Sequence, residues 1–499
     1  MRCRWRKCGK KRRPAPANPT LADDETVGED GPPGFVKVRK IVGMKRWAIL
    51  AVMVMCAGAG AGQDWHSMTF RADAPGADEN PLRGFVPYSM TKEVEGTFPH
   101  SLEWFYLPLS DVVTGPDTYD WMALEKELTA ISGRGHQAVF RFYVDYPKKP
   151  SGIPVYLLNA GLKTFAYEDS SNAKSATPSV SPDYRDPRLI DCMVKFIHAF
   201  GAKYDGDVRI AYITVGLYGF WGEWHVHKHP EAGEPAGWAI AQKDKDAILQ
   251  AYVESFHRTL LIVRTPKVTE NRALLANFGY EDDSLLQDTI GKEPWQFWVM
   301  MQQVGTTGMW QKRPMGGEIY PALQVGLWDA WPNKAGQDMT QVIATTHATW
   351  MLASDLFKTV PTAEERANAL RAERMLGYTF FCKQFAVKRE GAGATVTVRV
   401  ENRGGAPIYY AWPVEADAVD STGKTVGKGR ALWALPALMP GRSGDWSVTV
   451  DGLPEDASAV LLRIANPMPG GHPVAFANAE MGTVREGWLT LRVGEARIP

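Results

Sequence analysis

Arg209-Ile210-Ala211-Tyr212-Ile213-Thr214-Val215 runs directly into Gly216-Leu217-Tyr218-Gly219-Phe220-Trp221-Gly222-Glu223-Trp224-His225. The first stretch, β-branched and aromatic and ended by glycine, reads as a buried strand, and the Gly/Trp-rich stretch as the loop leaving its C-terminal end. Similar strand candidates flank it at Gly84 to Tyr88, Leu102 to Leu109, Ala138 to Val144, Lys267 to Glu270, Leu274 to Phe278, Met315 to Ile319 and Thr346 to Met351, alternating with helical patterns. Such alternation marks a parallel sheet with crossover helices, and eight candidates suggest an α/β fold, a (β/α)8 TIM-like barrel over residues 78–377.

Two helices carry explicit signals. Trp121, Leu124, Leu128 and Ile131 recur at helical spacing after Asp120, a capping residue, and Gly133 and Gly135 mark the stop. Thr362 to Glu365 has the capping-box form and opens a helix ending near Gly377. Beyond Tyr378 the period changes to two: Val396, Val398 and Val400, then Trp446, Val448 and Val450, alternate with polar residues. Gly and Pro turns separate these runs, so residues 378–499 are expected to form an antiparallel β-sandwich, an accessory domain. The stretch from Tyr146 to Asp183 reads as a long structureless loop, of the kind that is usually functional or disordered.

The chain has 499 residues, 56 Lys plus Arg against 56 Asp plus Glu, 45% hydrophobic and 22% charged. This composition excludes a disordered, collagen-like or multi-span membrane chain. Residues 1–46 carry a net charge of +8, leaving the body mildly acidic at −8. A nucleic-acid binder would place its basic excess on a folded domain, so nucleic acid is not an expected partner.

Met44-Lys45-Arg46, the apolar run from Trp47 to Cys56, and Ala57-Gly58-Ala59-Gly60-Ala61 have the order of a cleaved signal peptide over residues 44–61. The apolar core is too short for a stable membrane span. The protein is therefore expected to be secreted or periplasmic. Cys56 is a poor lipoprotein cysteine, because Met55 precedes it. Residues 1–43 read as a disordered basic extension, and translation is expected to begin at Met44. Only Cys192 and Cys382 lie beyond the leader, in apolar surroundings, so the fold rests on its core and not on disulfides.

In a barrel of this kind the active site lies where the strands end, so acidic residues just past a strand are the first candidates. Glu223 follows the fourth strand and Glu318 ends the seventh. Glycoside cleavage needs one carboxylic acid and one carboxylate. Trp221 and Trp224 surround Glu223 with low polarity, which would raise its pKa and suit it to be the general acid, leaving Glu318 as nucleophile or base. Nine of the 18 tryptophans fall between residues 221 and 350, Trp350 among them, and aromatic faces stack on sugar rings. Arg141, Tyr143, Asp145 and Tyr146 are expected to line the same mouth, with His225 and Asp283. The run Glu281-Asp282-Asp283 reads as a substrate hydrogen-bonding group or a cap, because it lacks the pattern of a calcium loop. His225-Val226-His227-Lys228-His229 offers imidazoles for a metal, but no further ligand follows at metal spacing and Lys228 would repel a cation. No metal or cofactor is expected.

Asn80-Pro81-Leu82-Arg83-Gly84-Phe85, Arg141 with Asp145-Tyr146-Pro147, Gly219 to His225, Gly317-Glu318 and Leu376-Gly377-Tyr378 occur in that order. The chain resembles, through these landmarks over residues 78–495, bacterial secreted proteins of the domain of unknown function 4832 family, with its companion N-terminal domain 4874. The resemblance implies a barrel like those of clan A glycoside hydrolases followed by a β-sandwich. It also implies an acid/base at Glu223, a nucleophile at Glu318, and an oligo- or polysaccharide as partner. Gly222 stands where that clan commonly has an Asn that contacts the sugar 2-OH. Two other readings remain: a non-catalytic polysaccharide-binding or cell-surface protein, and a metal-dependent hydrolase using His225 and His227.

Overall fold

The computed structural model describes residues 64–91, 98–167, 179–226 and 240–493. The leader readings, residues 1–43 and the signal peptide 44–61, lie outside the described residues, as do His227 and Trp238. Among the described residues no helix is long and apolar enough to cross a membrane.

Eight parallel strands build the barrel: β1 (Gly84–Val86), β2 (Leu102–Pro108), β3 (Gln137–Tyr143), β4 (Ile210–Thr214), β5 (Leu260–Val263), β6 (Gly279–Leu285), β7 (Met315–Ile319) and β8 (Trp350–Leu352). Neighbours in the sheet run β1-β8-β7-β6-β5-β4-β3-β2. The ring closes where the Trp104 N–H donates to the Pro87 carbonyl at 2.9 Å and the Ser89 N–H to the Trp104 carbonyl at 2.8 Å. Strands are short and almost wholly buried because helices cover the outside and side chains fill the inside.

The outer helices are α1 (Met122–Ser132), α2 (Pro187–Tyr204), α3 (Gln242–Ser255), α4 (Phe297–Val304), α5 (Met339–Thr346) and α6 (Ala363–Glu373), with shorter turns between. The Asp120 carboxylate accepts from the Met122 N–H at 2.9 Å, and Leu124, Leu128 and Ile131 are the buried stripe of α1. Thr362 and Glu365 form the reciprocal capping box that opens α6.

Two strands lie elsewhere than the sequence suggests. Residues 267–270 form a loop, and Leu274 belongs to a short helix, Arg272–Leu275, capped by Asn271. The fifth strand is the four-residue run Leu260–Val263, and the sixth begins at Gly279 and carries the acidic run itself. Thr346 ends α5, so β8 starts at Trp350. The stretch after β3 is not structureless: it holds a short helix, Val155–Asn159, and a hairpin pairing Thr164–Tyr167 with Ser179–Pro182.

After α6 come β9 (Phe380–Glu390), β10 (Gly393–Asn402), β11 (Pro413–Val419), β12 (Thr425–Leu432), β13 (Ser443–Val450), β14 (Ala459–Ile464) and β15 (Leu489–Arg492). They form two antiparallel sheets, β9-β10-β13 and β12-β11-β14-β15, as the period of two requires. Val396, Val398 and Val400 all face the interior. A short strand ahead of the barrel, His66–Ser67, pairs with β9 and joins this sandwich. Cys192 and Cys382 are free and buried.

The sandwich packs on the base of the barrel, and one continuous apolar cluster runs from Trp104, Val139, Tyr212 and Trp350 inside the barrel to Tyr378, Ile408, Val396 and Leu462 in the sandwich. Half-buried tyrosines lock the joint: Tyr410 donates to the Ala211 carbonyl at 2.7 Å, and Tyr409 to the Trp310 carbonyl at 2.7 Å. At barrel closure, Arg83 and Glu373 form an ion pair with side chains 1% exposed, and Glu373 also accepts from the Phe85 N–H at 2.8 Å. Replacing Glu373 by Gln leaves Arg83 without its counter-charge. The variant is expected to lose about 2 kcal/mol, read as a lower urea midpoint at unchanged slope.

Candidate active site

The loop that carries Glu223 is held in a costly conformation. Leu217, Trp221 and Trp224 all have positive φ, at 80°, 54° and 63°, and Gly219 and Gly222 join them at 83° and 75°. Bulky residues in this region cost on the order of 1–3 kcal/mol each and persist only where the surroundings enforce them. The enforcement is visible: Leu217 N–H donates to Phe142 O at 3.0 Å, Trp221 N–H to Asp145 O at 2.9 Å, and the Trp224 indole to Val215 O at 2.7 Å. Gly222 has its own reason. A Cβ there would stand 2.8 Å from Phe142 O and 3.1 Å from Arg141 Cδ, so the Asn expected from the clan has no room.

Glu223 is thereby delivered into the mouth of the barrel, where Arg141 at the end of β3 meets it at 3.1 Å through Nη1. The other terminal nitrogen of Arg141 binds Glu281 of β6, and its guanidinium lies 5.4 Å from the Trp104 ring and 5.7 Å from Tyr106. His225 Nε2 is 3.1 Å from the second Glu223 oxygen. Arg264, just past β5, is 3.9 Å from that oxygen and pairs with Asp283. Glu318 on β7 receives the Tyr88 hydroxyl at 3.3 Å. Its neighbours must be glycine: a Cβ on Gly316 would reach the Trp350 indole at 2.5 Å, and Gly317 has φ 143° and abuts the Asp282 carbonyl.

Charges decide the protonation of the two glutamates. Burial pushes the Glu318 carboxyl up, and the Glu223 and Asp283 charges push it further, to about 8. Burial acts the same way on Glu223, but the His225 hydrogen bond and the Arg141 and Arg264 charges outweigh it and hold that carboxyl well below the usual carboxylate range. Burial also raises Asp283, against Arg264, and lifts Glu281 to about 7 against Arg141. Glu318 is thereby biased toward its neutral form and Glu223 toward its anion. This reverses the protonation expected from the flanking tryptophans, because two guanidiniums and an imidazole outweigh two apolar neighbours.

Of the expected site residues, Arg141, Glu223, Glu318, Asp283 and Trp350 line one small cavity, and His225 touches it through Glu223. Tyr146 and Trp221 stand beside it with rings 6.3 Å apart. Three do not converge there. Trp224 is 5% exposed and packs on Tyr218 as core. Asp145 is fully buried and takes the Tyr167 hydroxyl at 2.6 Å, with burial raising its carboxyl to about 7. Tyr143 meets Tyr146 edge to face at 5.1 Å outside the cavity lining.

The tryptophan concentration is mostly core: Trp328 packs on Phe85, Trp310 on His347 and Trp331 under Arg371. Asp282, on the opposite face of β6, is the cap in the acidic run, accepting from Ser284 N–H and the Thr289 hydroxyl. Glu281, from the acidic run, stands in the mouth with Tyr88, Trp104, Tyr106 and Arg264, and the sequence alone does not single out these last four. Alternation along β2 and β6 carried the signal for Trp104, Tyr106 and Glu281.

Glu223, His225 and Asp283 place ligand atoms within 4.8 Å of one another. Arg264 binds Asp283 and Arg141 binds Glu223, so a cation entering this group would meet two guanidiniums, and the donor set does not fit a metal. The space the lining leaves is about 10 Å3, room for about one water.

No family model and no curated protein matches the chain. Among solved structures, endo-glycoceramidase II from Rhodococcus sp. in complex with ganglioside GM3 aligns with a TM-score of 0.36 and 13% identity over 75% of this chain and 97% of that one. A beta-glucanase from Saccharophagus degradans aligns with a TM-score of 0.30 and 9% identity over 55% and 77% of the two chains. A structure described as a glycoside hydrolase aligns at 0.32 and 10% over 59% and 99%. No site residue is assigned from these alignments.

Proposed function

We propose that the protein is an exported glycoside hydrolase of oligo- or polysaccharides, with Glu318 as general acid and Glu223 as the ionised partner. One observation carries this reading: the carboxyls of buried Glu223 and half-buried Glu318 face one barrel mouth, with neighbouring guanidiniums favouring the charged form of the first and desolvation and nearby acids the neutral form of the second. Glycoside cleavage needs that division of labour, a proton for the leaving oxygen and a carboxylate to attack or to activate water. Arg141, Arg264 and His225 fix Glu223 as the anion, and its charge in turn keeps the proton on Glu318. Export rests on the signal-like order of residues 44–61.

The 10 Å3 space favours a second reading, a polysaccharide-binding barrel without chemistry, because a sugar ring needs far more room. Reducing-end release from plant, algal and bacterial polysaccharides separates the two. Release that both Glu223→Gln and Glu318→Gln abolish supports the hydrolase and its pair. Release that survives both refutes the pair, and glycan binding with no release by the wild type moves the protein to the second reading.

A further inference from the structure

The β12-β11-β14-β15 sheet carries a groove of about 570 Å3 lined by Glu415, Asp417, Lys428, Arg430, Arg463 and Trp488. Strand register assembles it: Glu415 lies between Arg430 and Arg463, and Asp417 lies opposite Lys428. Both carboxylates are already engaged. Arg463 holds Glu415 at 2.8 and 2.7 Å, and Arg485 holds Asp417 at 2.6 Å. The same two guanidiniums lie over Trp488, 4.5 and 5.2 Å from its ring, which fixes their planes.

Lys428 and Arg430 are exposed, and neither side chain is ion-paired among the described residues. With Arg463 and Arg485 spent on the two carboxylates, Lys428 and Arg430 leave an excess of two positive charges at the groove. Asp451, whose carboxylate accepts from the Lys428 backbone N–H at 2.7 Å, reduces that excess to one positive charge. A cationic groove on adjacent strands, with Arg430 and Lys428 on one strand two residues apart, matches a chain of carboxylates, which arginine grips in a bidentate fork and lysine as a point charge.

We infer that this groove binds an acidic polysaccharide, a chain of uronate residues, with Lys428 and Arg430 meeting its carboxylates. The inference does not depend on the barrel cleaving anything, since the groove residues belong to the sandwich alone. Its test is calorimetric titration of polygalacturonate into the full chain carrying Glu318→Gln, which prevents consumption of the ligand. Lys428→Ala with Arg430→Ala is expected to weaken binding about tenfold at low salt and to remove most of its salt dependence. The melting temperature should not move, and Lys428→Arg with Arg430→Lys should keep binding. Polygalacturonate bound no better than a neutral galactan, a double variant that binds as the parent does, or equal affinity for a DNA oligonucleotide would each overturn the inference.

Discussion

Glu318→Gln is expected to cut glycan hydrolysis on the order of 1,000-fold, the usual worth of a general acid, while making the protein more stable in alkali. The sign follows from linkage. The folded carboxyl titrates near 8 against an ordinary 4.5, so the native state holds this proton more tightly than the unfolded chain. The contribution is fully present below the ordinary value and is lost as pH rises through about 8. Gln does not ionise and is spared the loss. Relative to wild type, the variant should gain roughly 3–5 kcal/mol between about pH 5 and pH 9, because each tenfold difference in proton affinity between the folded and unfolded chain is worth about 1.4 kcal/mol. Urea unfolding at the two pH values measures it, and an unchanged difference would place Glu318 outside this electrostatic scheme. Wild-type hydrolysis should fall above about pH 8, where the acid loses its proton.

Arg141→Met is expected to cost roughly 3–5 kcal/mol near neutral pH, because it strands Glu223 and Glu281 in the interior. It also removes a guanidinium that lies 5.4 and 5.7 Å from the Trp104 and Tyr106 rings. The loss should shrink near pH 5, where the stranded carboxyls can take up protons. Lys should not restore the wild type, since it cannot donate to Glu223 and Glu281 through two fixed nitrogens. In Arg141→Met the acidic limb of any pH–rate profile should move upward, because Glu223 loses the charge that keeps it ionised. A melt unaffected by the substitution, at either pH, would contradict this account.

The barrel was legible where strands are conventional. Leu102 to Leu109, Ala138 to Val144, Arg209 to Val215 and Met315 to Ile319 read as strands and are strands, because burial on both faces leaves an apolar run. It failed at the fifth and sixth strands, and the failure sits at the mouth. Gly279–Leu285 places Glu281, Asp282 and Asp283 in one strand, residues that strands ordinarily avoid, so the sequence pattern points to a strand ahead of the acids and not through them. That shift also hid Arg264, which stands one residue past the true β5. Glu223 and Glu318 could be found from their places after β4 and on β7. Their protonation could not, since it depends on Arg141, Arg264 and His225 converging from three separate segments.

The tyrosine-locked joint between barrel and sandwich bears on how this protein can be inherited and rearranged. The sandwich does not hang from a linker: its sheet includes a strand from ahead of the barrel, and its side chains complete the apolar cluster that begins inside β2, β3 and β4. Swapping it for an unrelated accessory module would bare Tyr212 and orphan the Ala211 carbonyl at the barrel floor. The pair is therefore exchangeable only as a whole, and the loops at the opposite rim are the part free to vary without opening this joint.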